Sequence, residues 1–524
     1  MPAARGTFYY RLLYYQLLRH CHPAIAIREI MLRRIRFIVS WLLLRGLVLL
    51  ALGLLILLGT RIWEAETGAP LKPWHTFVPE ELDAAAIDEA EWHTWLQAED
   101  RVMAAVRSEV TDRLEPEDRI AANRYFAGSP VYPPSLARDW NRSYVLLPEG
   151  PPKGAAVFLH GLTDSPYSLR HIAKRYRDLG WATVAIRLPG HGTVPAGLYD
   201  VEWPDWSAAV RLAVREAVHL AGDAVPLHIV GFSNGGALAL KYTLEALDDP
   251  ALARPDRLIL VSPMIGVTEF ARFAGLAGLP AYFPRFARAA WIAVLPEFNP
   301  FKYNSFPVNG ARQSHLVTAA LRAELARQAR NGSLDALPPI LTFQSVIDFT
   351  VSTPAVVNTL YDRLPANGSE LVLFDLNRSA RFGPLLRPSA ATAIDRLLPP
   401  PPRRYTATAV VDPPPFGDSM MAVTVPAGAT DAVEEPLGLA YPKDVFSLSH
   451  VALPFPLDDP LYGLEPDGND DYGINLGATA LRGERGALII SIDAVSRMAS
   501  NPFFPYMLKR IEAAIGNPAP RAAR

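Results

Sequence analysis

Residues 231–235 read Gly-Phe-Ser-Asn-Gly, a G-x-S-x-G pentapeptide. A serine hydroxyl is a weak nucleophile and needs a neighbouring base to take its proton. The pentapeptide supplies a second requirement, a sharp turn. An apolar run, PLHIVGF (226–232), leads into it, and a helical pattern, ALALKYTLEAL (237–247), leads out. On such a strand–turn–helix elbow Ser233 stands free above a sheet, and Gly231 and Gly235 remove side chains that would collide across the turn. The oxyanion that forms when serine adds to a carbonyl needs two donors aimed at one point. The backbone N–H of Asn234 is one. HGL (160–162) ends an earlier apolar strand and offers the N–H of Leu162 as the other.

A triad on this elbow runs Ser, Asp, His along the chain. Asp348 closes the run ILTFQSVID, and Asp375, its rival, closes the next one, SELVLFDLN. Asp348 is preferred because its strand is more apolar and a helical pattern (352–364) follows it. His450 is the only histidine after Asp375. His315 precedes Asp348 and breaks the order. His171, His191, His219 and His228 fall on a helix, a turn, a helix and a strand, and His160 is read as holding its own turn. The expected roles are Ser233 as nucleophile, His450 as base and Asp348 as the acid that orients it. The single cysteine, Cys21, excludes an intrachain disulfide and a cysteine-based zinc site. With no phosphate loop and no G-x-G-x-x-G, neither a cofactor nor a metal is expected.

These residues need a scaffold, and the chain reads as α/β. SYVLLP (143–148), AAVFLHG (155–161), WATVAIRLPGHG (181–192), 226–236, 256–263, 338–348 and 369–377 read as strands. Helical patterns cover 165–180, 203–222 and 237–247. The alternation predicts a mostly parallel sheet with helices on both faces. Core parts are expected at 141–263, 338–377 and 446–524, the last with the His450 loop and a C-terminal helix. A cap is expected at 264–337, rich in Phe, Ala, Arg and Pro, with Phe270, Phe273, Tyr282, Phe283, Phe286, Trp291 and Phe298 suited to an acyl chain. Residues 60–140 read as a helical preface packing on the core. Residues 378–445, with LLPPPPRR (397–404) and DPPPFG (412–417), read as a proline-rich insertion of stiff spacers that loops out before His450. It is flanked by β-like YTATAVV and MMAVTV, and it holds much of an excess of proline, 49 residues, about twice average usage.

Charge adds an address. The balance of 51 Lys+Arg against 53 Asp+Glu, net −2, excludes a basic nucleic-acid binder. It is unevenly spread. Residues 1–36 carry seven arginines and one acid, and residues 37–59, FIVSWLLLRGLVLLALGLLILLG, carry only Arg45. As a helix this run is about 34 Å long, enough to span a bilayer. Arginines crowd its N-terminal side, which is therefore expected in the cytoplasm. A cleaved signal peptide is the alternative, but no small-x-small site follows the run closely. Met31 heads an ordinary basic n-region, so translation from it would make residues 1–30 optional. Beyond Arg45 the chain holds 43 basic and 52 acidic residues, an acidic body.

On HGLTDSPYSLR (160–170), RLPGHGTVPAGL (187–198), WPDW (203–206), GFSNGG (231–236) and the Asp348/His450 pair, the sequence resembles the α/β-hydrolase superfamily, in its bacterial carboxylesterase, monoacylglycerol-lipase and serine-aminopeptidase-like branch. The likeness covers about residues 140–377 and 446–515. It implies hydrolysis of a small-molecule or lipid ester, no cofactor, and a cap before the acid strand. The anchor, the preface and the 378–445 insertion are departures from it. The expected setting is a bacterial inner membrane crossed once, with the catalytic body periplasmic or extracellular. A peptidase or thioesterase would use the same triad, and a silent hydrolase-fold binding module of the envelope is the alternative without chemistry.

Overall fold

The computed structural model describes residues 6–266, 279–378, 392–413, 419–443, 445–468, 470–478 and 500–516, with Arg387, Ser389 and Arg497, and side chains from Met31 onward. The chain opens with α1 (Gly6–Thr67), a single helix of 62 residues. It contains the 37–59 run but continues beyond both ends of it. Met31–Thr67 is long and apolar enough to cross a membrane, and its most apolar stretch is not buried by the described residues.

After a short helical turn at Pro73–Thr76, the longer preface helices are α2 (Ala84–Glu89) and α3 (Trp92–Glu109). Asp83 caps α2 by accepting from the Ala86 N–H at 2.8 Å. Ile87 and Trp95 carry the preface into the main core.

The α/β body is a ten-stranded sheet. Its strands are β1 (Tyr144–Leu146), β2 (Gly154–Leu159), β3 (Trp181–Ile186), β4 (Leu227–Phe232), β5 (Arg257–Val261), β6 (Ile340–Ser345), β7 (Glu370–Phe374), β8 (Thr406–Val411), β9 (Met421–Val425) and β10 (Val433–Pro436). The spatial order is β1-β3-β2-β4-β5-β6-β7-β8-β9-β10. From β3 to β8 neighbours are parallel, while β1, β9 and β10 pair antiparallel at the margins. Every residue of β2, β3 and β4 is buried, as expected where helices cover both faces.

Alternate strand residues feed two cores. On one face Val157, Ile229 and Leu260 meet α5 (Trp203–Ala221), α6 (Asn234–Asp248) and α7 (Val308–Asn331). On the other, Phe158, Val230 and Ile259 meet α4 (Arg170–Asp178) and α8 (Phe504–Gly516).

Two domain expectations change. The 378–445 segment does not simply loop out. Its β-like flanks become β8 and β9, and β8 lies parallel to β7 with Thr406 opposite Glu370 and Val410 opposite Phe374. Alternating small and β-branched residues fit a strand with one face buried, so the segment widens the sheet by three strands. The prolines of 399–402 sit in the connection before β8, where no ladder hydrogen bond is lost. The expected cap shrinks from its C-terminal side. Val317, Leu321 and Leu325 recur at helical spacing on α7 and are fully buried in the main core, so 308–331 belongs to the body. Trp291 and Phe298 are buried in packing clusters and glue the segment down, while Phe283 is exposed. Phe270 and Phe273 lie outside the described residues.

Candidate active site

Ser233 sits between β4 and α6 with φ 54° and ψ −115°, in the positive-φ region that non-glycine residues avoid. The surroundings hold it there. Its N–H donates to Val261 O at 3.0 Å, and its carbonyl accepts from the N–H groups of Gly236 (3.0 Å), Ala237 (3.3 Å) and Met264 (3.0 Å). The flanking glycines are required by close approach. A Cβ on Gly231 would come within 2.5 Å of Gly235 O, and one on Gly235 within 2.0 Å of Leu159 O. Asn234 is the first residue of α6, so its N–H has no acceptor within the helix.

The HGL turn backs onto the serine: a Cβ on Gly161 would lie 3.2 Å from Ser233 Cβ. Leu162 follows, and then Thr163 at φ 62° bends the chain, its carbonyl accepting from the Tyr303 N–H at 2.8 Å. His160 holds this turn. Its Nδ1 lies 2.9 Å from Gly161 O, and its Nε2 accepts the Leu188 N–H at 3.0 Å. That pairing makes it the neutral Nδ1–H tautomer. Burial first, then the neighbouring His191, pushes its pKa well below the usual histidine range.

His450 and Asp348, 102 residues apart in sequence, meet: Nδ1 lies 2.9 Å from Asp348 Oδ2. Asp348 also accepts from Gln344 Nε2 (3.1 Å), the Thr350 N–H (2.7 Å) and the Val351 N–H (3.0 Å). Burial works to raise its pKa, but the imidazole and these donors hold it below the ordinary aspartate value. The His450 ring stacks on Phe232, next to the serine, with centroids 5.2 Å apart. The structure therefore brings Ser233, the Gly161–Leu162 turn, His450 and Asp348 to one end of the parallel strands.

The rivals go elsewhere. Asp375 is bound by Arg378 at 2.6 Å and carries β8 through its N–H to Val410 O at 2.9 Å. His228 meets the Tyr176 hydroxyl at 3.0 Å, His191 lies 3.0 Å from Pro189 O, and His171 reaches Asp459 at 2.9 Å. His219 and His315 lie on α5 and α7.

Three supporting groups escaped the sequence reading. Arg187, fully buried, is gripped by preface carboxylates: Nη1 and Nη2 reach Glu81 at 2.6 and 2.9 Å, and Nε reaches Glu99 at 3.0 Å. Glu81 also accepts the Gly190 N–H at 2.9 Å. The preface thus braces the LPGHG loop whose Leu188 fixes His160. Asp459, fully buried, takes Arg170 (2.7 Å), His171 (2.9 Å) and the Tyr167 hydroxyl (3.0 Å), tying the segment after His450 to the HGLTDSPYSLR motif. Asp164, in that motif, is buried beside Lys302 and His450, and burial pushes its pKa up to about 6. A charged residue inside an apolar motif is a sequence signal for a buried pair, but it does not name the distant partner.

The family described as serine aminopeptidase, S33 matches residues 150–375. A thermostable monoacylglycerol lipase of Bacillus sp. (strain H-257) is 29% identical over 127 residues, 23% of this chain, and the match spans 49% of that relative. Among solved structures, a metagenome-derived lipolytic enzyme described with LipS and LipT is 20% identical, covering 49% of this chain and 98% of its own, with a TM-score of 0.35. A soluble variant of monoglyceride lipase from Saccharomyces cerevisiae is 14% identical, covering 44% of this chain and 81% of its own, with a TM-score of 0.34. Residues 150–375, which carry the parallel strands β2 to β7 and the glycine-flanked serine, are thus similar to α/β-hydrolases of the monoacylglycerol-lipase and serine-aminopeptidase branch, and the match spans about half the length of the curated relative.

Proposed function

We propose that the chain is a serine hydrolase of carboxylic esters, held at a membrane by residues 37–59. The observation that carries this reading is the His450–Asp348 contact of 2.9 Å beside a serine kept at φ 54°. In the proposed reaction Ser233 Oγ attacks the ester carbonyl carbon as His450 Nε2 takes its proton. Asp348 holds the Nδ1–H tautomer and stabilises the imidazolium. The N–H groups of Leu162 and Asn234 receive the oxyanion. His450 then protonates the departing alcohol, and water, activated by the same imidazole, releases the acid from the acyl-enzyme. In this reading residues 1–36 are cytoplasmic and the acidic body lies across the membrane. The match to a monoacylglycerol lipase favours a lipid ester as substrate.

The test is a series of p-nitrophenyl esters of rising chain length, with fluorophosphonate labelling and Ser233→Ala as control. Labelling that disappears with Ser233→Ala, together with turnover of at least one ester, is expected. Equal labelling of wild type and Ser233→Ala would falsify the nucleophile. The family description favours one second reading, an aminopeptidase. Turnover of an aminoacyl naphthylamide with background rates on every ester would establish it instead.

A further inference from the structure

The anchor helix does not let go of the body after it leaves the apolar run. Past Gly59, α1 continues to Thr67 and docks on the segment before α7. Arg61 Nη2 donates to Ala289 O at 3.0 Å and to Trp291 O at 2.6 Å. Arg285 pairs with Glu66 at 2.6 Å, and Arg288 donates to the backbone oxygens of Glu64 (3.2 Å) and Ala69 (3.0 Å). Three arginines thus clamp the emergent turns of the helix to residues 285–291.

Helix geometry converts this clamp into a depth. Arg61 is two residues past the end of the apolar run, an axial rise of about 3 Å. The headgroup layer beyond the hydrocarbon is roughly 5–8 Å thick on each side. The backbone at 289–291 therefore falls within that layer whenever 37–59 spans the bilayer. The side chains around the clamp suit it. Trp63 and Phe283 are 70% and 67% exposed, and Ile292 and Leu295 are also exposed. Aromatic side chains favour the headgroup level.

We propose that the cap segment 279–295 is a bilayer-docking surface, held in the outer headgroup layer by α1, so that the catalytic site receives its ester from the leaflet beneath it. This rests on reading 37–59 as a membrane span and Ser233 as the nucleophile. The occupant is the lipid surface itself, because the same helix that crosses the bilayer is bound to the segment.

The test uses the full chain in vesicles of phosphatidylcholine and phosphatidylglycerol. In a Cys21→Ser background, Phe283→Cys carries an NBD fluorophore, and Glu434→Cys on β10 carries the control. The label at 283 is expected to emit to the blue of the control and to be quenched by brominated lipid. Matching emission and quenching at the two sites overturns the docking. Arg61→Ala is expected to lose several-fold on a long-chain monoacylglycerol in the vesicles while keeping its rate on soluble p-nitrophenyl acetate. Equal loss on both substrates overturns delivery from the leaflet. If the wild type turns over neither ester, the hydrolase reading fails, and quenching alone still decides the docking.

Discussion

At the scale of single residues, the proposed reaction gives two aspartates different work. Asp348 receives His450, so Asp348→Asn is expected to leave the loop folded and lower kcat by about 10⁴, the effect of holding the imidazole base in the wrong tautomer. Asp375→Asn alters a carboxylate held by Arg378 and the Leu376 N–H beside β8, and its kcat is expected to stay near the native value. Steady-state kinetics on one soluble ester decide it; comparable losses in both variants would sink the assignment. Asp164 offers a pH signature. Its pKa is about 6 in the folded chain, against about 3.9 for an unfolded aspartate. The folded state therefore keeps this proton longer, and the group's contribution to stability falls as pH rises from about 4 to about 6. Asp164→Asn removes that loss, so its melting temperature is expected to gain on wild type across this window. The difference is at most about 3 kcal/mol, and a pH-independent offset between the two melting curves would contradict it.

At the scale of elements, the preface behaves as part of the site's frame. Arg187 is buried among Glu81, Glu99 and the LPGHG loop, and these carboxylates keep its charge despite burial. Arg187→Met leaves two carboxylates without a cation and is expected to cost about 3–5 kcal/mol. Arg187→Lys is expected to recover only part of this, since one ammonium cannot reach both acids as the guanidinium fork does. Thermal unfolding in detergent measures it; a shift below one degree in Arg187→Met would refute the brace. Elements with local signatures were legible in the sequence. β2, β4 and the helices around them announce themselves by apolar runs and periodicity, and the Gly-x-Ser-x-Gly turn by its glycines. What was not legible depends on distant partners. Nothing local in YTATAVV says that it pairs with β7, and nothing in Arg187 points to an acid 88 residues upstream. In 378–445 the prolines of 399–402 suggest a spacer by composition, yet they mark only the way into β8.

At the scale of the molecule, an uninterrupted helix joins a basic arm, an apolar run and an acidic body. An integral anchor is expected to keep the protein in the membrane pellet through alkaline carbonate washing. A chain starting at Thr60 is expected in the supernatant with its turnover of soluble esters retained. Release of the full chain by carbonate alone would count against the span. A last consequence belongs to the strands that widen the sheet. Extending it from β7 to β10 moves the open edge outward, and an open edge is a template for another chain. The residues of β10 are all exposed, but the strand reads Val-Glu-Glu-Pro, with two acids and a terminal proline that has no N–H to donate. The edge is therefore self-limiting: a second copy approaching it meets like charge and a missing donor. Glu434→Val with Pro436→Val would give a less charged, fully bonding margin, and light scattering is expected to register more self-association in this variant than in the native chain.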